Sequence, residues 1–123
     1  MRTESEMKPY LSYLYFAGAN GDHPYFLKND RIAIGLAVLP QDEKKPQISK
    51  QHPHQQEVVF VLDGKIQIEI KQNEKTSCNV LNTGEVFMIE PGICHCILSV
   101  NHEKAAYLFV KTFPAKEPRE IPC

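Results

Sequence analysis

No stretch of the 123-residue chain approaches the roughly 18 consecutive apolar residues that a membrane-spanning helix needs. The opening MRTESEMKPY has neither an apolar run nor a small-residue cleavage site, so it shows no secretory signal, and a cytoplasmic protein is expected. Net charge is only -1 and the basic residues are scattered, which argues against nucleic acid or anionic membrane as a partner. The four cysteines (Cys78, Cys94, Cys96 and Cys123) contain no Cys-x-x-Cys pair, and in a reducing compartment they are expected to stay free thiols. Internal repeats, low-complexity tracts and amphipathic helical periodicity are also missing. What remains is a chain of ordinary globular composition and single-domain length.

The periodicity that is present has a step of two. Ile32, Ile34, Leu36 and Val38 share one face of the segment RIAIGLAVLP. Two strand-forming runs, VVFVL and KIQIEI, flank Asp63-Gly64, which predicts a type I′ hairpin. A polar turn at KQNEK, a short strand TSCNVL, a strand EVFMIE, a Pro91-Gly92 turn and a strand CHCILSV follow. After a break at residues 101–104, AAYLFVKTF reads as one more strand, and YLSYLYF near the N-terminus as another. About eight short strands joined by turns describe an all-β sandwich or barrel. The expected domain is 1–123, with its core over about 28–113, an N-terminal strand segment at 8–17 and an extended or disordered tail at 114–123.

Chemistry-bearing residues gather in two places. His52 and His54 stand two apart on an extended stretch that Pro53 keeps extended, so their side chains project to one side about 7 Å apart. Imidazoles so placed can converge on one ion at about 2.1 Å. His95 follows the Pro91-Gly92 turn and is the natural third donor, with Glu57 as a carboxylate. Cys94 and Cys96 flank His95 and should point away from it.

His52-x-His54, then Glu57 with Gly64 after six residues, then Gly84 and Pro91-Gly92-x-x-His95 resemble the two motifs of the cupin superfamily. The resemblance covers roughly residues 46 to 99 and implies a double-stranded β-helix, the jelly-roll cupin barrel. It further implies one divalent metal ion (Fe, Mn, Ni or Zn) on His52, His54, His95 and Glu57. Four departures stand out: Pro46 replaces the leading Gly, Ser99 the later Asn, Glu90 the first Pro, and only Gln55 and Gln56 separate His54 from Glu57. With that short gap, strict alternation from the histidines would turn Gln56 toward them and Glu57 away, unless a bulge resets the register. Glu57 and Gln56 therefore compete for the fourth ligand position.

The resemblance implies a metal-dependent enzyme on a small carbonyl or phenolic substrate, most simply an oxygenase, with Glu57 as ligand or general base. A non-catalytic metal- or ligand-binding cupin and an isomerase or epimerase are the alternatives. A homodimer is expected, formed through an edge strand or a swapped N-terminal segment.

Overall fold

The computed structural model describes residues 12–19, 25–39, 50–51, 54–101, 103–112 and 121–123. These residues form strands and turns, with no helix among them. The strands are β1 (Ser12–Gly18), β2 (Leu27–Lys28), β3 (Ala33–Leu39), β4 (Lys50–Gln51), β5 (Glu57–Asp63) and β6 (Ile66–Gln72). After them come β7 (Lys75–Leu81), β8 (Val86–Ile89), β9 (Cys94–Ser99), β10 (Ala105–Lys111) and β11 (Ile121–Pro122). They build a six-stranded sheet in the order β2-β1-β3-β10-β5-β8 and a five-stranded sheet in the order β11-β4-β9-β6-β7. Two facing sheets with successive strands crossing between them make the jelly-roll that the sequence pattern predicts.

One feature differs from the sequence reading. Asp63-Gly64 does not close a hairpin: β5 pairs with β10 and β8, while β6 pairs with β7 and β9. A type I′ turn needs positive φ at both central residues, and here only Gly64 has it, at 77°. The Gly64 backbone lies so close to its neighbours that a Cβ would sit 2.7 Å from the Lys104 carbonyl oxygen. Gly64 thus serves a corner where the chain changes sheet. The two-residue hairpin with positive φ at both positions is one turn later, at Asn73 (52°) and Glu74 (65°), joining β6 to β7.

Cysteine pairing is a second correction. Cys94 and Cys123 are disulfide-bonded, with Cα atoms 6.0 Å apart, and Cys78 and Cys96 are not bridged. The cause is the returning tail, whose β11 pairs with β4, itself paired with β9. That placement brings Cys123 within bridging range of a cysteine 29 residues away in sequence. Of the tail, the described Ile121 and Pro122 lie in extended backbone paired with β4.

The interior is filled from both sheets. Val59, Val61, Tyr107 and Phe109 of one meet Ile66 and Ile68 of the other, all almost fully buried. Room for the aromatic rings comes from β3, whose inward positions Gly35 and Ala37 are small; the larger Ile34, Leu36 and Val38 face outward. Gly35 is register partner to both Phe109 and Tyr15, and the Tyr15 and Phe109 rings meet edge-on with centroids 5.3 Å apart. A Cβ on Gly35 would run into the Phe109 ring and stand 3.0 Å from the Leu14 carbonyl oxygen. Gly35→Ala should therefore destabilise the fold by about 1–3 kcal/mol through overpacking. Thermal unfolding checks this, and an unchanged melting temperature would contradict the packing described.

Candidate metal centre

At one end of the apolar interior three polar side chains are buried: Gln55, Glu57 and His95, each at most 5 % exposed. Burying a carboxylate costs several kcal/mol unless something compensates its charge. Their positions follow from strand alternation. Gln56 is tied to the start of the barrel wall: its N–H donates to Thr112 Oγ1 (3.2 Å), and its carbonyl accepts from the Thr112 N–H (3.0 Å). Its side chain turns outward and donates to Glu90 Oε2 at 3.0 Å. Glu57 and Gln55, one residue either side, therefore turn inward, and His54 is exposed.

His95 arrives from the other sheet. Pro91 and Gly92 make a turn in which Gly92 has φ 77° and the Ile93 N–H reaches the Glu90 carbonyl at 3.4 Å. His95 lies two residues beyond that Ile93, with Ile70 and Lys50 as its register neighbours on β6 and β4. Cys94 and Cys96 pair with Lys71 and Glu69, whereas His95 pairs with Ile70, so both thiol positions lie on the opposite face of β9.

The two inward groups meet across the barrel: His95 Nε2 is 3.6 Å from Glu57 Oε1. The other ring nitrogen, Nδ1, is 3.1 Å from the Ile93 carbonyl oxygen. A carbonyl only accepts, so Nδ1 carries a proton, and Nε2 faces the carboxylate either as a donor of the charged ring or as an acceptor that a cation shared with Glu57 would satisfy. Two electron-pair donors facing each other repel unless a proton or a cation stands between them. Donors each about 2.1 Å from one ion at a tetrahedral angle lie about 3.4 Å apart, close to the separation found. A metal-binding histidine also commonly donates its second N–H to a carbonyl, as His95 does. Glu57 and His95 are thus oriented so that both could contribute to one divalent-ion site.

The surroundings add charge and space. Lys111 is the cross-strand partner of Glu57 on β10, and its Nζ lies 5.1 Å from the centre of the Phe109 ring. At the exposed β6–β7 turn, Ile70, Gln72, Asn73, Lys75 and Ser77 line an open groove of about 290 Å³. Ile70 of that groove is also the register partner of His95. A volume near the lower limit of ordinary ligand pockets suits a small molecule.

The sequence named four donors. The structure brings Glu57 and His95 together; His54 is exposed, and His52 lies outside the described residues. Among the described residues no group of three or more His, Cys, Asp or Glu side chains is arranged to hold an ion. Gln56, the competitor of Glu57, faces Glu90 on the outside instead. Gln55 and Lys111 were missed. Counting alternation backward from Glu57 rather than forward from the histidines would have found Gln55. Lys111 depends on strand pairing, for which the sequence holds no local signal.

A family model for the cupin domain matches residues 35–111, well over half of the chain. The chain belongs to the cupin family. No curated protein matches this cupin. Among solved structures, it resembles the DMSP lyase DddQ from Ruegeria pomeroyi (TM-score 0.73, 15% identity, covering 98% of this chain and 55% of that one). It also resembles oxalate oxidase in complex with glycolate (TM-score 0.67, 14% identity, 90% and 54% covered). A third likeness is to Fe(II)-HppE with an alternative substrate (TM-score 0.56, 20% identity, 67% and 42% covered). This cupin spans about half the length of those proteins or less, and identities this low establish the fold alone.

The tautomer of His95 is directly measurable. Nitrogen-15 NMR of labelled protein should show Nδ1 protonated throughout, with added divalent metal shifting only the Nε2 signal. Loss of the Nδ1 proton on metal addition would contradict the geometry.

Proposed function

We propose that this cupin is a metal-dependent enzyme acting on a small molecule, with His95 Nε2 and Glu57 Oε1 as two ligands of the ion. The observation that carries the reading is the approach of those two buried side chains, 3.6 Å apart, with Nδ1 already committed to the Ile93 carbonyl. His52 and His54 are the remaining donors; because His54 is exposed in the structure, its participation requires it to turn inward on loading. A bound Fe, Mn, Ni or Zn ion would supply an electrophilic centre and, if redox-active, a route to oxygen chemistry.

The protein's own part is positioning. The Ile93 carbonyl holds the His95 ring, and the Gln56–Thr112 pair holds Glu57 inward. Lys111, beside Glu57, sets a positive charge where an anionic group on the substrate is favoured. Glu57 is placed to act as ligand or as general base toward a proton of the substrate. An oxygenase-type reaction on a small carbonyl or phenolic compound is the reading we favour; solved neighbours named as an oxalate oxidase and an Fe(II) enzyme support it. The described residues join only two of the four donors, which favours a second reading: a ligand-binding cupin without turnover. We place a homodimer in the same proposal.

Titration of the metal-free protein with Fe(II), Mn(II), Ni(II) and Zn(II) should show one ion per chain. His95→Ala and Glu57→Ala should each weaken it by at least about 100-fold, beyond the 10–100-fold typical of outer-shell changes. His52→Ala and His54→Ala should also weaken binding; if His54→Ala does not, His54 leaves the ligand set. No binding of any of the four ions sinks the proposal. Fe(II)-dependent oxygen uptake with carbonyl or phenolic compounds supports the oxygenase reading, and its absence in the loaded protein supports binding without turnover.

A further inference from the structure

Two of the shortest strands stand at the approach to the metal site. β4 is Lys50–Gln51, and the next residue in the chain is His52. On one side β4 meets β9 at the pair Lys50↔His95. On the other it meets β11 at Ile121↔Gln51 and Pro122↔Lys50. Cys123 follows β11 directly, Cys94 opens β9, and the disulfide between them joins the two strands that flank β4. Cys94 is also the chain neighbour of His95. One covalent bond is therefore tied to His95 through Cys94, and to the base of the His52-x-His54 segment through β11 and β4.

We propose that the Cys94–Cys123 bridge is a redox-operated latch on the metal site. Closed, it holds β11 and β4 in the sheet and so fixes where the His52-x-His54 segment begins. Opened by a thiol reductant, it frees both short strands and weakens metal binding. The inference rests on the metal site proposed above and adds its regulation. Two thiol groups of the reductant supply two electrons and two protons; the S–S bond breaks, Cys94 and Cys123 become thiols, and the reductant leaves as its own disulfide. Cys123 is exposed and Cys94 half-buried, so the bridge is open to attack, and exposed disulfides are the labile ones.

The covalent bond matters here because the hydrogen-bonded pairing is slight. β4 and β11 are two residues long each, shorter than an ordinary strand. Pro122 has no N–H to give to β4. Without the bridge, that pairing alone must draw the chain end back to the sheet against the entropy of closing the loop. The bridge links positions 29 apart and removes most of that cost beforehand. The barrel body rests on other strands: among the described residues, the buried apolar cluster lies on β3, β5 to β8 and β10. Opening the latch should therefore loosen one corner of the five-stranded sheet and leave the rest folded.

The test compares the oxidised full chain with two opened forms: wild-type protein reduced and then freed of reductant without air, and the double variant Cys94→Ser/Cys123→Ser. The double variant opens the latch without adding a thiol that could itself take metal. Each form is titrated with Fe(II), Mn(II), Ni(II) and Zn(II), and its backbone hydrogen exchange is followed without metal. Both opened forms should bind the ion at least about tenfold more weakly, the scale of changes just outside the ligand shell. Exchange should quicken at β4 and Ile121 and stay slow in β5 and β6; Cys78→Ser, at the exposed free thiol, should alter neither reading. Equal affinity in the oxidised and opened forms overturns the latch and leaves the metal reading standing. Loss of protection throughout β5 and β6 on opening also overturns it, because the bridge is then a staple of the whole barrel. No ion bound by any form overturns the metal reading instead, and the exchange of β4 then decides the latch, equal rates overturning it.

Discussion

The paired hydrogen bonds between Gln56 and Thr112 fix where β5 enters the six-stranded sheet, and that register decides which side chains reach the interior. With Gln56 held outward against Glu90, Glu57 must face in, and so must Gln55. A slip of one residue would exchange the two faces. Glu57 would then be solvated, Phe60 would be driven into a space shaped for Val59 and Val61, and His95 would lose its neighbour. The polar end of the barrel and its apolar body are thus set by one registration.

The apolar body explains why so small a barrel can hold a polar layer. Tyr107 and Phe109 fill the interior against Gly35 and Ala37, with Ile66 and Ile68 opposite, and this packing leaves Glu57 and His95 at its end. Burial of a carboxylate there costs several kcal/mol unless charge compensates it. Lys111 is its cross-strand neighbour, and a bound cation would compensate the charge. In the low-dielectric setting of a packed barrel, each such charge acts more strongly than it would at the surface.

Much of the architecture was legible because strand alternation is a local signal. The eight longer strands fall where the period-two runs lie, and the turns at residues 73–74 and 91–92 fall on their polar or Pro-Gly segments. What the local signal does not carry is partnership. Asp63-Gly64 looks like a hairpin in sequence and is a corner between sheets, because β10 and β8 rather than β6 flank β5. Cys94 and Cys123 look unrelated until β11 returns beside β4. At the site, Glu57 and His95 follow from motif spacing, whereas the outward turn of His54 depends on Gln56 being anchored to Thr112, a contact 56 residues away. The facing of Ile34, Leu36 and Val38 was likewise undecidable locally, since Phe109 determines that the small residues of β3 go inside.

Crystals of the metal-loaded protein, measured at the absorption edge of the ion, test the central claim most directly. The account predicts one anomalous peak per chain within bonding distance of both His95 Nε2 and Glu57 Oε1, with Nδ1 still on the Ile93 carbonyl. A peak elsewhere, or none between those two atoms in protein that has taken up metal, would contradict it.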